Sequence, residues 1–267
     1  MNINEYIASM TDENEKPLDN MVFGGGMVGI LNTIGCVGDS LSSGEYETVD
    51  KNGMHYYYDL YKDSWGQFMA RMTGTKVYNF SRGGMTAKHY LELYADSQDF
   101  WNPEKKCRAY IIALGVNDLV GARRPAGSVE DICREDSHMN KLTFAGYYGA
   151  IVQRLREINP DAKFFFMTMP EEHNNEEVQA IKDRHAELMY ELAEFFGNSY
   201  VIDLRKYGPV YDDEFKKKFY LNGHMNTAGY CLTAQMVVSY IDYIIRHNLE
   251  DFSEIALNDI NRKNYKI

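Results

Sequence analysis

Five short apolar runs divide the chain at intervals that suggest a repeating architecture. They read as continuous apolar stretches rather than as alternating patterns, which is typical of strands buried on both faces of a parallel sheet. The runs are TIGCVG (33–38), KVYNF (76–80), AYIIAL (109–114), KFFFMTM (163–169) and YVIDL (200–204). We therefore predict five core strands at these positions.

Helical patterns separate the apolar runs. Segments 64–74, 143–158 and 176–196 carry apolar residues at helical spacing, and a fourth such pattern runs from Leu232 to Ile245. Alternation of strands and helices implies right-handed βαβ units. We predict an α/β fold, a three-layer α/β/α sandwich around a five-stranded parallel sheet with the flavodoxin-like strand order 2-1-3-4-5.

Residues 1–267 are predicted to form a single domain that carries decorations. The segments outside the sandwich pattern hold too few apolar residues for a second core. They are an N-terminal extension, 1–32, and two loop insertions, a tyrosine-rich one at 45–63 and a polar one at 120–142. Long loops usually form lids, binding walls or oligomer contacts, which leaves homo-oligomer formation open.

Charge and composition narrow the choice of partners. The formal net charge of −11 argues against nucleic acid and against an anionic membrane surface, since both attract clustered basic residues. None of the four cysteines has CxxC spacing, and the polar N-terminus does not resemble a secretory signal. We expect a soluble, cytoplasmic protein that acts on a small molecule, without a nucleic-acid or membrane partner.

Four polar motifs follow the predicted strands or precede the last helix. They are GDSLSSG after the first strand, SRGGMT after the second, GVNDL after the third, and NGHMNTAGY near the C-terminus. Ligands of parallel sheets bind at the carboxyl ends of the strands, so the topology brings these motifs into one crevice. A serine, a glycine-rich loop, an asparagine and a histidine are the components that acyl transfer requires.

The motifs VGDSLSSG, NFSRGGMTA, ALGVND and NGHMNTAGY, in this order over residues 35–230, resemble the SGNH (GDSL-type) hydrolase family. The resemblance implies that Ser40 is the nucleophile and His224 the general base. It further implies an oxyanion hole built from the Ser40 and Gly84 backbone N–H groups and the Asn117 side-chain amide. A serine hydroxyl needs such a base, and the tetrahedral oxyanion needs preorganised donors.

One position departs from the family pattern. Leu221 stands three residues before His224, where the family usually has an aspartate. Three interpretations remain open: a backbone carbonyl holds the imidazole, an acid from elsewhere such as Asp212, Asp213 or Glu171 reaches it, or catalysis has been lost.

Other features carry weaker predictions. Arg82, inside the second motif, is either a surface arginine or a contact for an anionic group of the substrate. The sequence contains no HExxH motif and no cluster of aspartate ligands, so we predict neither a metal nor a cofactor.

The function predicted from the sequence is serine-dependent hydrolysis of a carboxylic ester. A short, acetyl-like acyl group on a polar or carbohydrate substrate fits an acidic chain without an apolar lid helix. One alternative is a flavodoxin-like module whose DSLSSG loop holds a flavin phosphate. Another is a catalytically inactive SGNH-like protein that binds a ligand.

Overall fold

A five-stranded parallel sheet forms the centre of the computed structural model, which describes residues 2–10, 12–173 and 175–259. Two short antiparallel pairs accompany it within the described residues. In chain order the strands are β1 (Thr33–Gly38), β2 (Glu45–Val49), β3 (His55–Asp59), β4 (Lys76–Ser81), β5 (Ala109–Ala113), β6 (Lys163–Met167), β7 (Ser199–Ile202), β8 (Tyr220–Leu221) and β9 (His224–Met225).

The parallel sheet has the order β4-β1-β5-β6-β7. In its register, Cys36 of β1 pairs with Asn79 of β4 on one side and with Ile111 of β5 on the other. The five predicted strands and the α/β/α sandwich are confirmed. The strand order differs from the expected 2-1-3-4-5 only in its numbering, because β2 and β3 come between the first two strands of the sheet.

Helices cover both faces of the sheet. Within the described residues they are α1 (Ile3–Ser9), α2 (Ser40–Ser43), α3 (Trp65–Thr73), α4 (Ala87–His89), α5 (Ala95–Ser97), α6 (Phe144–Ile158), α7 (Glu176–Phe196), α8 (Leu204–Tyr207), α9 (Asp213–Phe219), α10 (Thr227–His247) and α11 (Leu249–Phe252). Helices α6 and α7 pack in one core layer, and α3 and α10 pack in the other.

The two core layers explain why the strands read as continuous apolar runs. In β5, Tyr110 and Ile112 contribute to the layer of α6 and α7, whereas Ile111 contributes to the layer of α3 and α10. Successive side chains of a strand point to opposite faces, so a strand covered on both sides is apolar at every position.

The decorations have more structure than the sequence suggested. The segment 45–63, expected to be a loop, contains the β2–β3 hairpin, in which Glu47 pairs with Tyr57. The segment 120–142 consists of short helical turns and irregular chain. In the N-terminal extension, the Glu15 carboxylate binds the buried Arg246 guanidinium of α10 at 2.6 Å. Among the described residues, no helix combines the length and apolar character that a membrane span requires.

His185 of α7 fastens the carboxyl ends of two neighbouring strands. Its side chain is 1% exposed, and Nε2 lies 3.0 Å from the Leu114 carbonyl oxygen. Its Nδ1 accepts a hydrogen bond from the Met169 N–H at 3.5 Å. Burial lowers the pKa of His185 to about 4. The neutral imidazole therefore has a structural role, as the apolar stripe of its helix indicates.

We predict that His185→Leu lowers the free energy of unfolding by about 1–3 kcal/mol at pH 7.5, because two buried backbone groups lose their partner. The unfolded chain binds a proton on His185 near pH 6.5, whereas the folded chain does so only near pH 4. The wild-type protein therefore loses this contribution as the pH falls, and the variant does not. Urea unfolding of both proteins at pH 7.5 and at pH 5 measures the difference in their free energies of unfolding. The difference should be smaller at pH 5, and an equal difference at the two pH values contradicts the account.

Candidate active site

Ser40 stands at the point where β1 gives way to a single helical turn, α2. The Asp39 carboxylate begins this turn by accepting a hydrogen bond from the Leu41 N–H at 3.1 Å. Ser40 is half-buried, whereas Ser42 and Ser43 are 2% and 1% exposed. Ser40 is therefore the most accessible of the three serines in this loop.

The other two serines are engaged in shaping the turn. The Ser43 hydroxyl contacts the Ser40 carbonyl oxygen at 3.1 Å and also bonds to the Asp59 carboxylate of β3. Ser42 fills the space beside Gly38, because a Cβ added to Gly38 would lie 2.2 Å from the Ser42 Oγ. These contacts leave the loop poorly suited to cradle a phosphate with its hydroxyls.

Gly84 lies in the glycine-rich loop that follows β4. It has a φ of +69°, in the left-handed region that favours glycine, and a Cβ built on it would face open space. At Gly83, by contrast, a Cβ would lie 2.0 Å from a carboxylate oxygen of Glu45. Of the two glycines, the one with open space beside its Cα is Gly84, which is also the one predicted for the oxyanion hole.

Asn117 follows β5 and reaches across to the neighbouring loop. Its Nδ2 donates a hydrogen bond to the Met85 carbonyl oxygen at 3.1 Å and lies 3.5 Å from the Asp39 carboxylate. The second and third motifs are therefore joined directly beside the residue that precedes Ser40.

His224 approaches from a short hairpin, β8–β9, that leads into α10. Asn226 caps the N-terminus of this helix, since its side chain accepts a hydrogen bond from the Gly229 N–H at 2.9 Å. On the other side of His224, its Nδ1 lies 3.1 Å from a carboxylate oxygen of Glu47, and the same oxygen accepts a hydrogen bond from the Gly223 N–H at 2.8 Å. The β2–β3 hairpin thus provides the carboxylate that holds the imidazole.

Glu47 is a nearly buried carboxylate with three donors around it. Its second oxygen lies 2.5 Å from Nδ1 of His55, and its side chain is 7% exposed. Burial opposes ionisation, but hydrogen bonds from His55, His224 and the Gly223 N–H outweigh it and lower the pKa of Glu47. The carboxylate is therefore negative at neutral pH, as a partner for His224 must be.

The acids proposed from the sequence have other partners. Asp212 caps α9 by accepting a hydrogen bond from the Phe215 N–H at 2.8 Å, and Asp213 opens that helix. Glu171 forms an ion pair with Arg205 at 2.7 Å. Of the three open interpretations, an acid from elsewhere in the chain reaches His224, but that acid is Glu47 rather than one of the three named as examples.

The alternation of side chains between the two faces of the hairpin is the signal by which Glu47 could have been identified from the sequence. Residues 45, 47, 55 and 57 share one face of the β2–β3 pair, because Glu47 is paired with Tyr57 and side chains alternate along a strand. The Tyr57 ring meets the His224 ring edge-on at 5.8 Å between centroids. This face of the hairpin therefore forms a wall of the site.

The other imidazole nitrogen also has a carboxylate partner. Nε2 of His224 lies 3.0 Å from a carboxylate oxygen of Glu45. Among the described residues, no hydrogen bond joins Nε2 to Ser40. Burial raises the pKa of Glu45, the carboxylates of Asp59 and Glu47 add to the effect, and His224 opposes it. The Glu45 backbone is fixed by the Tyr230 hydroxyl, which donates to its carbonyl oxygen at 2.5 Å.

Asp39 adds a further buried carboxyl group beside the predicted nucleophile. Burial raises the pKa of Asp39 to about 6, while the Leu41 N–H and His224 favour its ionised form and Asp118 disfavours it. Near and above this pH the site carries several carboxylates, so it suits neutral or cationic ligands better than anionic ones.

Arg82 packs on an aromatic ring. Its side chain is exposed and its guanidinium lies over the Tyr94 ring, 4.7 Å from the centroid. A contact between Arg82 and an anionic group of the substrate stays a prediction.

A cavity of about 320 Å³, here called the side pocket, opens beside Ser40 and His224. It continues past the ends of β5 and β6 toward Leu204, the first residue of α8. The described part of the chain contains no group of three or more histidine, cysteine or acidic side chains placed to hold a metal ion.

Solved structures with the same fold include two esterases. A family two carbohydrate esterase from Clostridium thermocellum, in complex with cellohexaose, is 15% identical, with a TM-score of 0.54 over 89% of this chain and 66% of that chain. The psychrotrophic esterase EstA from Pseudoalteromonas sp. is 16% identical, with a TM-score of 0.53 over 80% of this chain and 98% of its own. At this level of identity the likeness shows the fold.

Sequence comparison gives the family. No curated protein matches the chain. The model of the GDSL-like lipase/acylhydrolase family matches residues 36–232, a span that contains Ser40, Gly84, Asn117, His224 and the supporting Glu47. Because this match covers most of the sequence, the chain belongs to the GDSL-like lipase/acylhydrolase family.

Proposed function

We propose that this hydrolase is a serine esterase that uses Ser40 as its nucleophile. The hydroxyl oxygen attacks the ester carbonyl carbon while its proton passes to Nε2 of His224. That proton then leaves with the alcohol, and water releases the acyl group from Ser40 by the reverse sequence. The observation that carries the proposal is the contact between His224 and Glu47, which supplies the acid absent at Leu221.

Glu47 acts in this proposal by positioning His224. A carboxylate on Nδ1 keeps a proton on that nitrogen, so Nε2 presents its lone pair to the nucleophile. It also stabilises the imidazolium that forms when His224 takes the Ser40 proton. The tetrahedral oxyanion is assigned to the Ser40 N–H, the Gly84 N–H and the Asn117 amide, which are donors without a full charge. For this the Asn117 amide exchanges its long contact with the Asp39 carboxylate, at 3.5 Å, for the oxyanion.

The contact between Glu45 and His224 describes the site before a substrate enters. For Nε2 to take the Ser40 proton, it must exchange the Glu45 carboxylate for the Ser40 hydroxyl. Glu45 also fills the space over Gly83, next to the proposed oxyanion position. An incoming ester therefore has to displace the Glu45 carboxylate. Because that carboxylate remains nearby and repels negative charge, the site disfavours substrates with an anionic group next to the ester bond.

A polar alcohol part, such as a carbohydrate, suits the surface around the site. Tyr57, on the hairpin face that forms a wall of the site, is 55% exposed, and an exposed aromatic ring offers a flat face with a polar hydroxyl at one end. A carbohydrate esterase also shares the fold. The short, acetyl-like acyl group, the small-molecule partner and the cytoplasmic location stay predictions.

The two alternative functions have less support. A flavin-phosphate loop would need free backbone N–H groups, whereas those of Leu41, Ser42 and Ser43 already donate hydrogen bonds to Asp39. The alternative of an inactive binding protein rested on the absence of an acid at Leu221. The contact between the Glu47 carboxylate and His224 removes that reason.

Ser40→Ala should abolish hydrolysis of p-nitrophenyl acetate and butyrate and leave the fold intact, because the half-buried hydroxyl is removed without a change in packing. Steady-state rates and the urea midpoint measure the two effects. Wild-type activity in the folded variant would refute the proposed nucleophile.

Glu47→Gln should lower kcat by about 10²–10⁴-fold with little change in KM, because the amide no longer holds the productive tautomer of His224. The matched control is Glu171→Gln, which removes an acid that pairs with Arg205 away from His224. Rates and thermal unfolding are compared for both variants. Equal kcat values in the two folded variants would exclude the role given to Glu47.

A further inference from the structure

We propose that Glu45 selects esters whose alcohol part carries a positively charged nitrogen close to the ester oxygen. The inference rests on the proposed function and specifies the charge of its substrate. It narrows the polar alcohol proposed above to an amino alcohol or a similar cationic alcohol.

The position of Glu45 relative to His224 is the first argument. His224 has to protonate the oxygen of the leaving alcohol, so that oxygen must come within hydrogen-bond distance of Nε2. The Glu45 carboxylate occupies this place in the structure, 3.0 Å from Nε2. A bound ester therefore puts its alcohol oxygen where the carboxylate lies, and the displaced carboxylate becomes a neighbour of the alcohol part.

The backbone of Glu45 keeps the displaced carboxylate in the site. Glu45 is the first residue of β2, where it pairs with Asp59 of β3. Its carbonyl oxygen also accepts a hydrogen bond from the Tyr230 hydroxyl at 2.5 Å. A change of side-chain torsion therefore turns the carboxylate away from Nε2 while its Cα stays beside the reaction centre.

The loss of its partner is the second argument. Among the described residues, His224 is the one basic side chain in ion-pair contact with the Glu45 carboxylate. When Nε2 turns to Ser40, a carboxylate on a side chain that is only 14% exposed loses this donor. A charge that is largely buried and unpaired is costly. A substrate that supplies a positive charge removes this cost, whereas a neutral apolar alcohol adds to it.

The surroundings of Glu45 favour a cation over a neutral hydroxyl group. Burial, followed by the charges of Asp59 and Glu47, raises the pKa of Glu45 against the effect of His224. A hydroxyl group would give the carboxylate a hydrogen bond but leave the repulsion among the three carboxylates unchanged, whereas a cation reduces that repulsion as well.

Tyr57 offers the cation a second interaction. It lies on the same face of the hairpin as Glu45, in the diagonal position across the strand pair, and its side chain is 55% exposed. Diagonal neighbours on a sheet are within reach of an aromatic side chain. A cation held by Glu45 therefore also gains a cation–π interaction with the Tyr57 ring.

The first test measures binding of the alcohol part without turnover. Three alcohols of similar length are titrated into the wild-type protein at pH 7.5 and followed by NMR. They are 2-(dimethylamino)ethanol, which is cationic, its neutral isostere 3-methylbutan-1-ol, and butane-1,3-diol, which offers a neutral hydroxyl donor. We expect the amino alcohol to bind about tenfold more tightly than either neutral alcohol. Equal affinity for the amino alcohol and either neutral alcohol would overturn the selection by charge.

Variants test whether Glu45 is the source of the preference. Glu45→Gln keeps the size of the side chain and removes its charge, so the preference should fall to within about twofold, whereas Glu45→Asp should retain part of it. The matched control is Glu194→Gln, the same change at an exposed position of α7, which should retain all of it. A full preference in folded Glu45→Gln, with the fold verified by thermal unfolding, would overturn the role of Glu45.

Hydrolysis gives the corresponding activity measure. The ratio of kcat/KM for 2-(dimethylamino)ethyl acetate to that for 3-methylbutyl acetate should fall about tenfold from the wild-type protein to Glu45→Gln, because the intrinsic reactivities of the esters cancel in this comparison. An equal ratio in the two proteins would refute the selection by Glu45 while leaving the serine esterase intact. Binding of the amino alcohol that depends on Glu45, without hydrolysis of any ester, would instead refute the proposed function and leave the role of Glu45 standing.

Discussion

The arrangement of the site depends on one buried carboxylate. Glu47 accepts hydrogen bonds from the Gly223 N–H and from Nδ1 of His224 with one oxygen, and its other oxygen contacts Nδ1 of His55. A nearly buried charge is stable only when such donors surround it. The same contacts that satisfy Glu47 therefore also fix the direction of the imidazole and join the hairpin to the loop before α10.

Because of this constraint, the sandwich and the inserted hairpin each contribute different residues to the site. The sheet places Ser40, Gly84 and Asn117 at the ends of neighbouring strands, where parallel topology brings loops together. The hairpin between β1 and α3 contributes Glu45, Glu47 and Tyr57. An insertion that could be regarded as decoration thus completes the site, and the sandwich alone would present a histidine without an acid.

The sequence predicted the parts of the molecule whose signals are local. Continuous apolar runs located all five core strands, and the first and third motifs follow β1 and β5 as predicted, which places Ser40 and Asn117 at the ends of neighbouring strands. Glu47 escaped prediction because it lies 177 residues from His224 along the chain, and only the pairing of β2 with β3 turns its side chain inward. The side pocket escaped for a similar reason, since its walls come from Trp65, Met167 and Leu204 on separate elements.

The most direct measurement of the central claim is covalent labelling of the wild-type protein by a fluorophosphonate, followed by intact mass and peptide mapping. An activated serine attacks phosphorus, so the account predicts one adduct per chain, on Ser40, and labelling slowed at least tenfold by Glu47→Gln. An adduct on Ser42 or Ser43, or labelling at the same rate without the Glu47 carboxylate, would contradict it.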